Sequence, residues 1–305
     1  MAHPLDQSPF YRLRSRKRLA QLLGLTVGRM ERLANGASGY WQFENEDSKG
    51  KTRQVQVPKP ALRHVHDRVA DLLSRIQAPG CLHCPVKRRS NVTNAMAHAG
   101  ADQVHTLDIQ SYFPSTTARQ VAGSLHSVMG CSPDVASVLA KLLTVDGHLA
   151  TGSPVSPILS FYAHYQLWMA VAAAVEGAGC ILTIYMDDVT LSGRVVPDWL
   201  VWEVKRRIGT EGLRYHKEQR YDRGWAEVTG VVLRDGGGRV PQRQHKKAHD
   251  LRKALHAERD PEAANTLRSK LGGVVAQRKY VERVSRSAAV PGQPPDLAPC
   301  PKRTR

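Results

Sequence analysis

Hydrophobic positions recur along the chain with changing spacing, and each spacing predicts a different element. Leucines and a methionine at near-helical spacing predict one or two short helices over residues 11–35. Residues 53–57 alternate polar and apolar side chains, which predicts a half-buried strand ended by Pro58. Further helices are predicted over residues 61–76, 117–144 (two, broken at 130–133), 158–176 and 199–208.

The last third of the chain changes character. Residues 225–233 predict one strand, and the Asp-Gly-Gly-Gly sequence at 235–238 predicts a flexible joint. A basic segment with helical apolar spacing follows over 241–286. The tail from Ala288 has five prolines and no periodicity, so we expect disorder there. Periodicity alone therefore predicts an α+β chain.

The sequence Tyr-Met-Asp-Asp at residues 185–188 stands between two short β-branched runs. This pattern predicts a hairpin with Asp187 and Asp188 at its turn. Adjacent carboxylates repel each other, and folds accept such a pair mainly where a divalent cation binds between them. The alternative is an ordinary polar hairpin tip, where Asp is common.

A third carboxylate, Asp108, ends a predicted strand over residues 104–109. One carboxylate at a strand end and two on a hairpin is a layout suited to two hard cations, which activate a hydroxyl and stabilise leaving pyrophosphate. Between these elements, residues 151–160 contain one glycine and two prolines, which predicts a rigid turn entering a helix.

Five blocks in this order resemble motifs of the bacterial retron reverse transcriptases. Three are general reverse-transcriptase blocks: 107–115, the Gly-Ser-Pro-Val-Ser-Pro-Ile-Leu-Ser block at 152–160, and Tyr-Met-Asp-Asp. Two are retron signatures, Asn-Ala-x-x-His at 94–98 and Val-Thr-Gly at 228–230. Each block alone is weak, but their joint order over about residues 50–285 is specific.

The resemblance implies a right-hand polymerase, with fingers, palm and thumb. It implies a helical N-terminal extension over 1–36, fingers over 37–107, a palm over 108–235 with finger-associated helices at 117–144, a basic helical thumb over 239–287 and a disordered Pro-rich basic tail over 288–305.

The resemblance also implies roles for individual residues. Asp108 and Asp187 would ligate two Mg²⁺ ions (Mn²⁺ could replace them) with the Ile109 carbonyl, Asp188 would orient the site, and Lys217 would protonate pyrophosphate. The implied nucleotide-binding residues are Lys51, Arg53, Phe113, Gly152 and Pro154, with Phe113 as the gate against a ribose 2′-OH. The alternatives are a core phenylalanine for Phe113 and a residue flanking the core for Arg53, which shares strand parity with Val55 and Val57.

Contacts with RNA or primer are implied for Asn94, His98, Val228, Thr229 and Gly230. Because Asn94 and His98 are four residues apart, a structural hydrogen-bonded pair on one helix face is an equal alternative.

The chain departs from the family pattern in three places. Thr151 replaces the usual Gln, Arg214 replaces an Asn, and residues 83–86 replace a His-Gly-Phe sequence. The changes at Thr151 and at residues 83–86 affect the expected sugar or template contacts, and Arg214 makes the match of the neighbouring Lys217 to its motif less complete.

Charge supports a polyanionic partner. The net charge is +17, and residues 241–286 hold 12 Lys or Arg against 5 Asp or Glu. Four cations of this segment are predicted to bind RNA: Lys246, Lys247, Arg252 and Lys253.

No apolar run has the length of a membrane span, and irregularly spaced cysteines, odd in number at five, favour a reducing cytoplasm. Cys81 and Cys84 resemble half of a zinc site, but buried loop thiols are the favoured interpretation.

We therefore expect an RNA-directed DNA polymerase of retron type. It would bind dNTPs and a cognate non-coding RNA, make a branched RNA–DNA hybrid from an internal 2′-OH, and act with an effector or toxin protein in anti-phage defence. One alternative is an intron-like or diversity-generating reverse transcriptase. Another is a non-catalytic RNA-binding or helix-turn-helix regulator, since residues 19–26 resemble half of that motif.

Overall fold

The computed structural model describes residues 2–36, 39–46, 50 and 52–288. These residues divide into two units. The first unit comprises the chain up to residue 79, residues 109–174 and residues 202–216, and the second comprises residues 80–108, 175–201 and the chain from 217. Lys51 and the tail from 289, predicted to be disordered, lie outside the described residues.

Helices make up about half of the described chain. They are α1 (Arg16–Leu22), α2 (Val27–Asn35), α3 (Pro60–Leu73), α4 (Asn91–Met96), α5 (Tyr112–Ser115), α6 (Ala118–Ser127), α7 (Pro133–Leu143), α8 (Ser156–Ala163), α9 (Tyr165–Gly177), α10 (Asp198–Thr210), α11 (Gln242–Ala257) and α12 (Pro261–Ala288).

The strands are short and form four sheets in the described chain. They are β1 (Tyr40–Glu46), β2 (Thr52–Pro58), β3 (Leu82–Cys84), β4 (Gln103–Ile109), β5 (Thr144–Val145), β6 (His148–Leu149), β7 (Ile181–Tyr185), β8 (Asp188–Gly193), β9 (Tyr215–Asp222), β10 (Trp225–Val228), β11 (Val231–Arg234) and β12 (Gly237–Arg239). With the helices they confirm the predicted α+β class.

In the first unit, side-chain caps begin the two N-terminal helices. Ser15 accepts the backbone N–H of Arg18 before α1, and Thr26 accepts that of Arg29 before α2. The predicted break between two helices is confirmed at Gly130, whose φ of 68° suits glycine. The two short helices predicted over 11–35 are likewise confirmed.

The single helix predicted over 158–176 is wrong, because the chain bends by 71° between α8 and α9. His164 stands at the bend, and its buried ring lies 3.2 Å from the Thr116 hydroxyl (Nε2 to Oγ1). No described helix by itself has the length and apolar character of a membrane span, and only α8 and α9 taken together across their bend pass that test.

The β1–β2 hairpin corrects the expectation for Arg53. Gln56 and Pro58 face the interior, whereas Val55 and Val57 are only half-buried. Trp41 and Phe43, opposite those valines, are about half exposed. Arg53 therefore shares the outer face of the hairpin and does not flank the core.

The second unit contains a five-stranded sheet with the order β3-β7-β8-β4-β9. Strands β7 and β8 form an antiparallel hairpin, β8 pairs antiparallel with β4, and β3 runs parallel to β7. Two adjacent strands of this sheet therefore carry the predicted carboxylates.

The single strand predicted over 225–233 is also wrong. Thr229 and Gly230 both have positive φ, 45° and 79°, and turn the chain between β10 and β11. Asp235 and Gly236 likewise form a tight turn into β12, not the flexible joint that was predicted. Together β10–β12, α4 and α12 bury one cluster, formed by Val92, Ala95, Met96, Val104, Ala226, Val228, Val231, Leu233, Tyr280, Val281 and Val284.

Candidate active site

The β7–β8 hairpin places two carboxylates at its tip, as the sequence predicted. Tyr185 pairs with Asp188, so Met186 and Asp187 form a two-residue connection. Met186 has a φ of 57°, a left-handed conformation that is strained for a residue with a side chain. Such strain persists where the surrounding structure fixes it, often at functional sites.

Strand β4 brings the third carboxylate to the same place. Asp108 is the direct antiparallel partner of Asp188. Directly opposed residues have Cβ atoms about 4.5–5.5 Å apart, within the range where like charges destabilise a sheet. The register therefore explains how a residue eighty positions upstream meets the hairpin tip.

The closeness of the three carboxylates changes the electrostatics of Asp188. The pKa of Asp188 is raised to about 7, mainly by burial and further by the charges of Asp187 and Asp108. Lys217 acts in the opposite direction and lowers this pKa. Asp188 is thus held in an environment that disfavours its ionised form until positive charge is supplied.

Lys217 supplies part of that charge. Its Nζ lies 3.2 Å from Asp108 Oδ2, with the lysine side chain 66% exposed and the Asp108 side chain 24% exposed. Exposure of the lysine leaves its ammonium free to change partner at small energetic cost. All four residues predicted to be catalytic therefore meet in the second unit.

These carboxylates could supply only part of the coordination shell of a divalent cation. Among the described residues, no group of three His, Cys, Asp or Glu side chains is already arranged to hold a metal ion. Mg²⁺ usually binds through one or two carboxylates and completes its shell with water and substrate phosphates. The repulsion that raises the pKa of Asp188 is what such a cation would relieve.

In the first unit, the loop with Gly152 lies against strand β2. The Gly152 N–H donates to the Gln56 carbonyl at 3.0 Å. A Cβ on Gly152 would lie 2.7 Å from Val57 Cγ2 and 2.8 Å from the Gln56 oxygen, distances that real Cβ atoms essentially never show. Only glycine fits here, and Pro154 follows half-buried in the same loop.

Thr151, which replaces the Gln expected from the resembled motif, fastens this loop to β2. Its hydroxyl donates to the Gln54 carbonyl at 3.0 Å and accepts the Gln56 N–H at 3.3 Å. The substitution therefore replaces a side chain able to reach outward with one that binds its own backbone neighbours. The sequence showed the substitution but not this use.

His66 was missed as a supporting residue of the same loop. Its Nε2 donates to the Leu142 carbonyl at 2.8 Å, and its Nδ1 accepts from the Ser153 hydroxyl at 2.6 Å. Burial lowers the pKa of His66 to about 4, so the ring is neutral. The only signal in the sequence was a histidine on the apolar face of α3.

Phe113 is half-buried, whereas its neighbour Tyr112 is in the core. The Tyr112 hydroxyl donates to the Ser160 carbonyl at 3.2 Å and accepts from Trp168 Nε1 at 3.1 Å. Tyr112 thus takes the structural role, which leaves the Phe113 ring available at a surface. Arg53 is exposed on its hairpin.

The side chains of Asn94, His98 and Val228 are almost fully buried, at 0%, 1% and 0% exposure. In this structure they face protein and not a surface on which RNA could lie. Asn94 and His98 do not pair with each other: Asn94 contacts Thr229, while His98 contacts hydroxyls of β7 and β8. The structural alternative is favoured, with different partners from those expected.

Helices α11 and α12, the basic helix pair, present exposed cations. The four predicted to bind RNA, Lys246, Lys247, Arg252 and Lys253, are all exposed on α11. Between the helices lies a cavity of about 270 Å³ whose lining includes Val274, Val275, Arg252 and Lys279. The pair therefore offers positive charge beside an apolar surface.

Cys81 and Cys84 behave as ordinary thiols. Burial raises the pKa of each to about 11, so both are protonated near neutral pH.

No model of a protein family matches the chain. Curated proteins similar to it include the retron Mx162 reverse transcriptase of Myxococcus xanthus, 29% identical over 80% of this chain and 59% of that protein. The retron Mx65 enzyme of the same organism is 28% identical over 88% and 68%, and the retron Ec86 enzyme of Escherichia coli is 30% identical over 56% and 53%. The chain thus spans about three fifths of the first relative's length. The resemblance predicted from the ordered motifs is confirmed, and the chain is similar to retron reverse transcriptases.

Proposed function

We propose that the protein is an RNA-directed DNA polymerase of retron type. The observation that carries the proposal is the meeting of Asp108, Asp187 and Asp188 with Lys217 on adjacent strands. An ordinary polar hairpin tip would not have the carboxylate of a third residue, Asp108, placed opposite it on a neighbouring strand. Nor would it raise the pKa of Asp188 to about 7.

Asp108 and Asp187, with the Ile109 carbonyl, would hold two Mg²⁺ ions, and Mn²⁺ could replace them. Bound there, the cations would lower the pKa of the primer hydroxyl and neutralise negative charge on the departing pyrophosphate. Asp188, which is half-buried beside Asp108 and Asp187, would orient the two cations through its negative charge. Lys217 sits at Asp108 before the reaction, and its exposed ammonium then donates a proton to pyrophosphate.

Nucleotide binding is assigned to Lys51, Arg53, Phe113, Gly152 and Pro154. Arg53 would bind phosphate oxygens bidentately and Lys51 would act as a point charge. Phe113 would exclude a ribose 2′-OH, which agrees with its half-buried ring. In the right-hand arrangement that we propose, these residues serve the fingers and palm, and the basic helix pair serves as the thumb.

The partner would be a structured cognate RNA, bound through the cations of the basic helix pair. Synthesis would begin at the 2′-OH of an internal guanosine and give a branched RNA–DNA hybrid. The complex would act in the cytoplasm with an effector or toxin protein in anti-phage defence.

Primer extension on RNA tests the activity. The purified chain, a primed RNA template, Mg²⁺ and labelled dNTPs should give DNA that is lost when EDTA is added or when ribonucleotides replace dNTPs. RNA binding without any synthesis would instead support the non-catalytic RNA-binding alternative.

Product structure tests the retron assignment. Coexpression with the DNA that flanks its gene should give DNA joined to a guanosine 2′-OH, which a debranching enzyme releases. Linear DNA alone would support an intron-like or diversity-generating enzyme.

A further inference from the structure

His98 is placed to hold the hairpin that carries the carboxylates. Its Nδ1 lies 2.6 Å from Ser192 Oγ and its Nε2 lies 2.7 Å from Thr183 Oγ1. Ser192 is on β8 and Thr183 is on β7, and both side chains are buried. One imidazole therefore bridges both strands of the hairpin whose tip is Met186 and Asp187.

The protonation state suits such a bridge. Burial, with a smaller effect of His83, lowers the pKa of His98 to about 3, so the ring stays neutral throughout the physiological range. A neutral imidazole has one donor and one acceptor, and a hydroxyl can serve as either. Both contacts are therefore satisfied hydrogen bonds that do not depend on pH near neutrality.

Four residues before His98, Asn94 helps to hold the turn between β10 and β11. Asn94 Nδ2 donates to Thr229 Oγ1 at 3.3 Å, and Thr229 Oγ1 donates to the Asn91 carbonyl at 2.7 Å. Asn91 Nδ2 donates in return to the Thr229 carbonyl at 3.1 Å. These bonds fix Thr229 in its left-handed conformation, which is unfavourable for a residue with a Cβ.

We propose that residues 91–98 form a positioning strut that sets the distance between the carboxylate hairpin and the Thr229–Gly230 turn. Asn94 and His98 are then positioning residues and not RNA contacts, and Thr229 is the residue of the turn that they hold in place. The strut is short and well anchored, because α4 begins with a reciprocal capping box between Ser90 and Thr93 and packs into the cluster of the second unit.

The catalytic consequence rests on the proposed polymerase function, but the mechanical claim does not. If the turn contacts the primer end, its spacing from Asp187 decides whether the primer hydroxyl is in line for reaction. Loss of the strut should therefore lower kcat while leaving the KM for dNTP and the affinity for RNA unchanged.

Hydrogen exchange of the full chain tests the mechanical claim. His98→Ala should speed amide exchange about tenfold or more in residues 181–193, because a buried pair of hydroxyls loses its partner. His98→Gln, whose amide can both donate and accept, should restore part of the protection. Thr183→Val, which keeps the side-chain shape, provides a milder variant should His98→Ala fold poorly.

Val284→Ala is the matched control, since Val284 is fully buried in the same cluster and its apolar side chain forms no hydrogen bond with the hairpin or the turn. It should lower protection broadly, without selecting residues 181–193. Unchanged exchange in the hairpin of both His98→Ala and Thr183→Val would overturn the proposal, and a weakened RNA affinity in these variants would then assign His98 to RNA contact. A wild-type chain without polymerase activity would refute the proposed function while leaving the exchange result decisive.

Discussion

Asp188→Asn should make the cation-free protein more stable while removing its activity. In the folded chain Asp188 is half-buried and stands opposite Asp108 and beside Asp187. Ionising it brings a third negative charge into this site, whereas Asn keeps the shape without the charge. The gain should therefore depend on pH.

The sign follows from proton binding. Between about pH 4 and about pH 7 the folded protein keeps a proton on Asp188 that the unfolded chain has lost, so this group lowers stability as the pH rises. The difference between the ordinary pKa of 3.8 and about 7 corresponds to at most about 4 kcal/mol.

Buried histidines change stability with pH in the opposite direction. Burial lowers the pKa of His66, His83 and His164 to about 4, and that of His98 to about 3. Over the same pH range the unfolded chain therefore binds more protons at these sites, which stabilises the folded protein as the pH rises. Only the difference between the variant and the wild type isolates Asp188.

Urea unfolding in EDTA at about pH 8 and about pH 4.5 measures that difference. Asp188→Asn should gain about 1–4 kcal/mol at the higher pH and only about a quarter of that gain at the lower pH, where the carboxyl of the unfolded chain has just passed its ordinary pKa of 3.8. Asp235→Asn, whose side chain is 72% exposed in the wild type, should change neither value. Equal gains at both pH values, or no gain near pH 8, would refute the placement of Asp188 among like charges.

Three further changes probe other parts of the account. Phe113→Val should raise ribonucleotide incorporation relative to deoxyribonucleotide, and an unchanged ratio with good activity would return Phe113 to the core. Gly152→Ala should cost about 1–3 kcal/mol in urea unfolding and raise the KM for dNTP, whereas Gly123→Ala in α6, with open space around it, should be neutral or stabilising. Neutralising the four exposed cations of α11 together should weaken RNA binding and flatten its salt dependence, while extension of an abundant primed template survives. The four are Lys246, Lys247, Arg252 and Lys253. Unchanged affinity and an unchanged slope of affinity against salt would move RNA recognition elsewhere.

Local patterns in the sequence were enough to predict the hairpin that carries Asp187 and Asp188. Two β-branched runs around an acidic pair predicted β7 and β8, and the motif order placed Asp108 beside them. The pattern was sufficient because the two-residue connection between β7 and β8 depends only on neighbouring residues. The register of β4 against β8 follows from the need to bury one face of the sheet. The same reasoning failed at His164 and Thr229, where a bend and a turn depend on partners far along the chain.

The supporting hydrogen bonds could not be predicted for the same reason. Thr151 and His66 act through groups 76 to 97 residues away, and neither pairing leaves a periodic signal. The spacing of Asn94 and His98 predicted a shared helix face, but not that each would contact a different element. Periodicity reports which face of an element is buried and not which group it meets there.

Single-turnover extension of a primed RNA by Asp187→Asn, with RNA affinity measured on the same preparation, tests the central claim most directly. Cations would be held by carboxylates, whereas RNA is bound by distributed lysines and arginines. Asp187→Asn should show no detectable DNA synthesis in Mg²⁺ with RNA affinity close to wild type, and Asp235→Asn should be fully active. Wild-type extension by Asp187→Asn would contradict the assignment of the active site.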